Sequence, residues 1–255
     1  MAKTITIIEL CGEEYKFFRS LKGRATDKFN RSVKLAYRFD ELSDKFDGMI
    51  ERGRNTSDNA RLALACKLMM YTGIRIGNEG SSEGYVTQPH PNSSKEPEFV
   101  QTYGLTTLLR EHVEVKRGVV YLHFLGKKQV ENSFKLDKTL SKQVRALLNE
   151  YEAETIFDIT AYELTKFVKK YVGNTFTPKD FRTLRANIVA WDAVKDILER
   201  ELPTTKKQRR EEVKEVATYV SEHLNNTPSV CKVSYIDSAL WDYLEELRQL
   251  QPKKR

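Results

Sequence analysis

The chain has no uninterrupted apolar run of about 18 residues, the length a helix needs to cross a bilayer, so no membrane span is expected. Its beginning, MAKTITIIELCGEEYKFF, places acidic residues soon after a short apolar run and lacks a small-residue cleavage pattern, so it does not read as a signal peptide. Cysteine is scarce: Cys11, Cys66 and Cys231 are odd in number and widely spaced. That argues against a disulfide framework or a zinc site and fits a reducing compartment. There is no Walker A pattern, no zinc-spaced Cys/His cluster, no evident carboxylate cluster for magnesium and no internal repeat. The expectation is a protein with no cofactor and no metal.

What is present is charge. Lys and Arg total 43 against 36 acids in 255 residues, a formal net charge of +7, with 40% hydrophobic and 31% charged residues. This is the composition of a soluble globular protein with ample core for one large domain or two small ones. The basic surplus suits a polyanionic partner, because neutralising phosphates drives much of the affinity for nucleic acid.

Alternation over residues 4–18 predicts two short strands around CGEE. From 25 to 51 apolar residues recur at helical spacing, and ARLALACKLMMYTG, apolar almost all round, predicts a buried helix ending at Gly73. Residues 80–103, rich in Gly, Ser and Pro, read as a long loop of the kind that is often functional or disordered. HVEVKRGVVYLHFLGKKQVENSFKL predicts a three-stranded antiparallel sheet. Helices are expected over 138–152, 160–172, 177–200, 208–224 and 236–250, with Pro178 in a first turn. The fold class is α+β, mainly α. QPKKR at the end, 251–255, is expected to be a solvated basic tail.

Four stretches carry chemistry. TGIRIGNE places Arg75 after the buried helix, FLGKKQ places Lys127 at a strand–turn–strand tip, TPKDFRTLRAN places Arg182 in a helix, and NNTPSVCKVSYID places Tyr235 nine residues after Asn226. Taken singly, each has an ordinary reading: a salt-bridging arginine, a solvated turn lysine, a helix-surface arginine, a packed aromatic.

In this order, together with YGLTTL (103–108) and HVEV, they resemble the type IB DNA topoisomerases, in wording close to the bacterial branch of the bacterial and viral type, over about residues 14–240. The resemblance implies a helical DNA breaking–rejoining catalytic core with a small three-stranded sheet. It implies Tyr235 as the nucleophile that joins a DNA 3′-phosphate, Arg75 and Arg182 as the arginines holding the scissile phosphate, and Lys127 as the hairpin lysine. Asn226 stands where poxviral and eukaryotic members have histidine. Lys128, Lys179, Asn187 and Lys232 are expected to contact DNA, and Asp180 also aligns. Lys128 adjoins Lys127, which leaves open which lysine is the general acid; the Gly-Lys pattern favours Lys127.

The implied activity is relaxation of supercoiled double-stranded DNA through transient single-strand cleavage and religation, without ATP or metal, by a monomer. The implied location is the cytoplasm of a bacterial or infected host cell, with virion association as an alternative. Relatives carry a substantial N-terminal domain that closes over DNA. Here the first of the two phosphate-holding arginines comes by residue 75, so the expected organisation is a strand remnant over 1–20, a catalytic domain over 21–250 and the tail over 251–255. Val233 stands where Lys or Arg is common before the tyrosine. Two rivals have other signatures. A tyrosine recombinase shares the chemistry but generally has His-x-x-Arg at the second arginine, where this chain has Lys179, and carries a core-binding domain. A non-catalytic DNA-binding helical domain would have no use for the whole set.

Overall fold

A computed structural model of the chain describes residues 4–19, 24–88, 96–200 and 205–250. The expected tail, 251–255, lies outside them. The chain divides into two units, Met1–Glu41 with Asp180–Arg255, and Leu42–Lys179.

In the first unit, β1 (Thr4–Leu10) and β2 (Glu13–Arg19) pair antiparallel from Thr4 opposite Arg19 to Leu10 opposite Glu13. The two-residue turn has Cys11 and Gly12 at φ 52° and 82°, the left-handed pair that matches the twist of a tight hairpin. Alternation buries Ile8 and Leu10 and leaves Ile5 and Ile7 exposed. Phe18 of β2 packs against Trp191 and Tyr243, with ring centroids at 6.4 and 5.3 Å. Lys16 lies over both of those rings and donates to the Tyr243 hydroxyl at 2.9 Å. The unit's helices are α1 (Arg24–Ala36), most of α7 (Pro178–Leu198), α8 (Lys206–Leu224), α9 (Pro228–Ser234) and α10 (Ala239–Leu250).

The second unit is built on α3 (Asp58–Thr72), buried continuously from Ala60 to Met70 as its all-round apolar sequence requires. Ser57 caps its start by accepting from Ala60 N, and Gly73 ends it at φ 69° with its N–H on Met69 O. That left-handed end is available to glycine at little cost. Gly73→Ala is therefore expected to destabilise the protein by about 1 kcal/mol, measurable as a lower urea midpoint; an unchanged midpoint would contradict the assignment. Around α3 stand α5 (Lys138–Glu150) and α6 (Ala161–Tyr171). Most of α2 (Phe39–Arg52) belongs to this unit, and its fully buried Phe46 packs at a tilt against Phe167 of α6, ring centroids 6.0 Å apart. The expected sheet is present as β5 (Val113–Lys116), β6 (Val119–Gly126) and β7 (Val130–Lys135), paired antiparallel in that order. Val120, Leu122 and Phe124 form the buried face of β6.

Three expectations are corrected. The helical pattern of 25–51 is two helices, because Arg38 N bonds Leu35 O, a tight i→i−3 closure that ends α1 before α2 begins at Phe39. The 80–103 stretch is not a plain loop. Asn78 caps a one-turn helix α4 (Glu79–Glu83) by accepting from Ser81 N. Strands β3 (Tyr85–Val86) and β4 (Phe99–Val100) then pair, with Thr87 N bonded to Glu98 O; residues 89–95 lie outside the described residues. Finally, the Thr-Pro-Ser stretch before Tyr235 is the helix α9, and the last helix begins at Ala239 rather than 236.

Candidate active site

The candidate residues fall into two groups, one in each unit. In the first unit α7 starts at Pro178, whose missing N–H costs nothing in the first turn. Four residues later Arg182 is 3% exposed, its Nη2 donating to Leu224 O at 2.7 Å and its guanidinium carbon 5.2 Å from the centre of the Tyr235 ring. Leu224 ends α8. Asn225 follows in the left-handed region (φ 47°), a conformation asparagine tolerates, and Asn226 N returns to Ser221 O at 3.0 Å. Thr227 then caps α9 and Pro228 opens it.

Seven residues of α9, at about 1.5 Å each, place Tyr235 about 10 Å along from the Asn226 end, a span that Arg182 bridges by touching both Leu224 and Tyr235. The Tyr235 ring is buried, and its hydroxyl makes no hydrogen bond among the described residues. Asn226 accepts from Thr227 N through Oδ1, while its Nδ2 is buried without a partner among the described residues. A buried donor left open in this way costs free energy unless an acceptor arrives.

The backbone on both sides of the tyrosine is anchored. Asn187, five residues beyond Arg182 on α7, donates to Tyr235 O at 3.0 Å and accepts from Asp237 N at 2.9 Å. Lys28 of α1 donates to Ser234 O at 2.5 Å, and Arg31 pairs at 2.9 Å with Asp180, which is 2% exposed. Sequence reasoning missed Lys28 and Arg31; they sit in an ordinary amphipathic helix, and no local signal separates them from solvated cations. Lys232 is exposed on α9, as is Val233.

In the second unit Arg75 lies just past the Gly73 cap, half-buried, with its side chain in no hydrogen bond or ion pair among the described residues. Lys127 and Lys128 are exposed in the β6–β7 turn, where Lys128 and Gln129 both take left-handed φ (66° and 58°). Gly126 is required at the base of this turn: a Cβ there would lie 2.2 Å from Nδ2 of the buried Asn132, which donates to Val130 O at 2.7 Å. Lys179 is exposed at the second position of α7. The unit also holds a cleft of about 750 Å³, lined by Glu79, Glu83, Glu154 and Glu163 with Arg61; its acidity unsuits it to a phosphate. Among the described residues no helix is long and apolar enough to cross a membrane, and no three His, Cys, Asp or Glu side chains are grouped to hold a metal ion.

Each group offers uncommitted or buried cations suited to phosphate oxygens, and the first places a guanidinium against a tyrosine. The sequence matches the family described as "Eukaryotic DNA topoisomerase I, catalytic core" over residues 19–255. It is also 25% identical over 250 residues to DNA topoisomerase 1B of Acanthamoeba polyphaga mimivirus, a similarity that covers 91% of this chain and 68% of that protein. The family match spans nearly the whole chain, and the helical core and the three-stranded sheet agree with it: the chain belongs to the type IB DNA topoisomerases, enzymes that act on DNA.

Proposed function

We propose that this enzyme relaxes DNA by an ATP- and metal-independent exchange of phosphate esters at Tyr235. The observation that carries the reading is Arg182, buried, held by Leu224 O and lying against the Tyr235 ring. The Tyr235 oxygen attacks the scissile phosphorus as its proton passes to solvent water. The bond from phosphorus to the 5′ oxygen breaks, and the departing oxygen takes a proton from Lys127. The product is a 3′-phosphotyrosyl link and a free 5′ hydroxyl, and resealing is the reverse. One ester replaces another, so no hydrolysis energy is needed.

Arg75 and Arg182 stabilise the charge on the non-bridging oxygens; comparable donors are worth about 10²–10³ in rate each. A lysine ammonium carries a transferable proton and can supply it from a turn next to the leaving oxygen. The open Nδ2 of Asn226 supports its role as a neutral donor to the same phosphate. Asn187 keeps the Tyr235 backbone in place, and Lys128, Lys179 and Lys232 contact DNA phosphates. The catalytic domain over 21–250 acts as a monomer.

The deciding experiment is relaxation of supercoiled plasmid in EDTA without ATP. Removal of both positive and negative supercoils supports the reading; strand exchange without relaxation, or binding without a covalent adduct, overturns it. Two further outcomes are expected. Because asparagine carries no charge, cleavage rate should change little with pH around 6–7. An inflection near pH 6.5 that survives Asn226→Ala and tracks a histidine such as His223 would overturn that role. Because phosphate contacts carry much of the binding, affinity should fall steeply with salt as those contacts are screened; relaxation rates unchanged from low to high salt would contradict it.

A further inference from the structure

We infer that the segment 103–107 is a bracket that positions Arg75 relative to Lys127, with Gly104 and Thr106 as its positioning residues. The inference rests on the roles proposed above for those two cations. Tyr103 N donates to Leu125 O at 2.7 Å, near the end of β6 and two residues before Lys127 in the turn that follows it. Two residues on, Leu105 N donates to Arg75 O at 2.8 Å, and Thr106 N donates to Ile76 O at 2.7 Å. The Thr106 hydroxyl adds a second donor to Ile76 O at 2.9 Å. One short segment is therefore bonded to both the strand that leads into the Lys127 turn and the arginine-bearing stretch. From 103 to 105 an extended chain spans about 7 Å, which sets the separation of the two backbones.

Side-chain size makes the bracket tight. A Cβ on Gly104 would lie 2.5 Å from both Cα and N of Gly77 and 2.9 Å from Arg75 O. Only a glycine lets the two backbones approach this closely. Gly77 itself has φ 101°, a conformation other residues rarely adopt. Gly104 N is held by the Thr107 hydroxyl at 3.0 Å, and both threonines are buried. At the other end the Tyr103 ring meets His112 edge-on at 4.4 Å, and His112 lies 6.2 Å from Phe124 of β6. The Arg75 side chain has no hydrogen bond or ion pair of its own among the described residues, so its placement follows from its backbone, and its backbone from the bracket.

The test uses the full chain with a single-turnover cleavage substrate, DNA affinity and thermal melting measured in parallel. Thr106→Val removes one hydroxyl donor while the backbone bond to Ile76 O stays, and cleavage is expected to slow about tenfold with DNA affinity unchanged. Thr106→Ser should restore the rate. Gly104→Ala is expected to slow cleavage about 10²-fold, the size of effect an ångström of misplacement produces. The decisive comparison is Thr106→Val in an Arg75→Ala background. If Thr106 acts through Arg75, the second substitution adds no further loss; an additive loss, or Thr106→Val cleaving at the wild-type rate, overturns the bracket. Arg75→Ala cleaving like wild type would instead overturn the role of Arg75 and the bracket with it.

Discussion

Tyr235→Phe is expected to abolish relaxation and the denaturation-resistant protein–DNA adduct together, lowering activity by at least about 10⁴-fold, in line with removal of other catalytic nucleophiles. The fold should be untouched. The hydroxyl makes no hydrogen bond among the described residues, so phenylalanine keeps the ring, its burial and its contact with Arg182. Stability should stay within about 0.5 kcal/mol of wild type, as for a substitution that removes no packing and no buried bond. Relaxation assays, adduct trapping in detergent and a thermal melt together separate the cases. An adduct formed by the phenylalanine protein would move the nucleophile elsewhere. Loss of activity in step with loss of fold would leave the tyrosine a structural residue.

Arg182→Ala carries the second large effect, and it should show in two readouts at once. The phosphate loses a charged donor, which costs about 10²–10³ in cleavage rate. The Leu224 carbonyl loses its 2.7 Å guanidinium bond, which costs about 1–3 kcal/mol of stability, and the Tyr235 ring loses its cationic neighbour. Arg182→Lys keeps the charge but not the planar fork that serves carbonyl and phosphate together, so it should recover less than about tenfold of the lost rate. Cleavage by Arg182→Ala within tenfold of wild type would remove Arg182 from the phosphate site. A rate loss matched by the loss of folded protein would assign it to structure alone.

Much of this molecule was legible in its residues. The turn at Cys11 and Gly12, the buried helix from Ala60 to Met70 with its glycine stop, and the three strands around KRG and GKKQ follow from alternation, apolar periodicity and turn chemistry. The order of Arg75, Lys127, Arg182 and Tyr235 carries the family resemblance, and only as a set. Short elements were not legible. The helix α9 owes its start to the Thr227 cap and Pro228, signals that also read as a break, and α4 hides in a Gly/Ser-rich stretch because its cap, Asn78, is equally a loop residue.

The remainder belongs to tertiary structure. That Arg182 is buried against Tyr235 rather than exposed on a helix depends on where α8 ends, 42 residues from it. That Lys28 holds Ser234 is a contact across 206 residues, which no local pattern encodes. The glycine at 104 is needed because the chain folds Gly77 against it, not because of any turn of its own. Sequence periodicity reports which face of an element is apolar; which backbone carbonyl meets which donor is decided only when those faces pack.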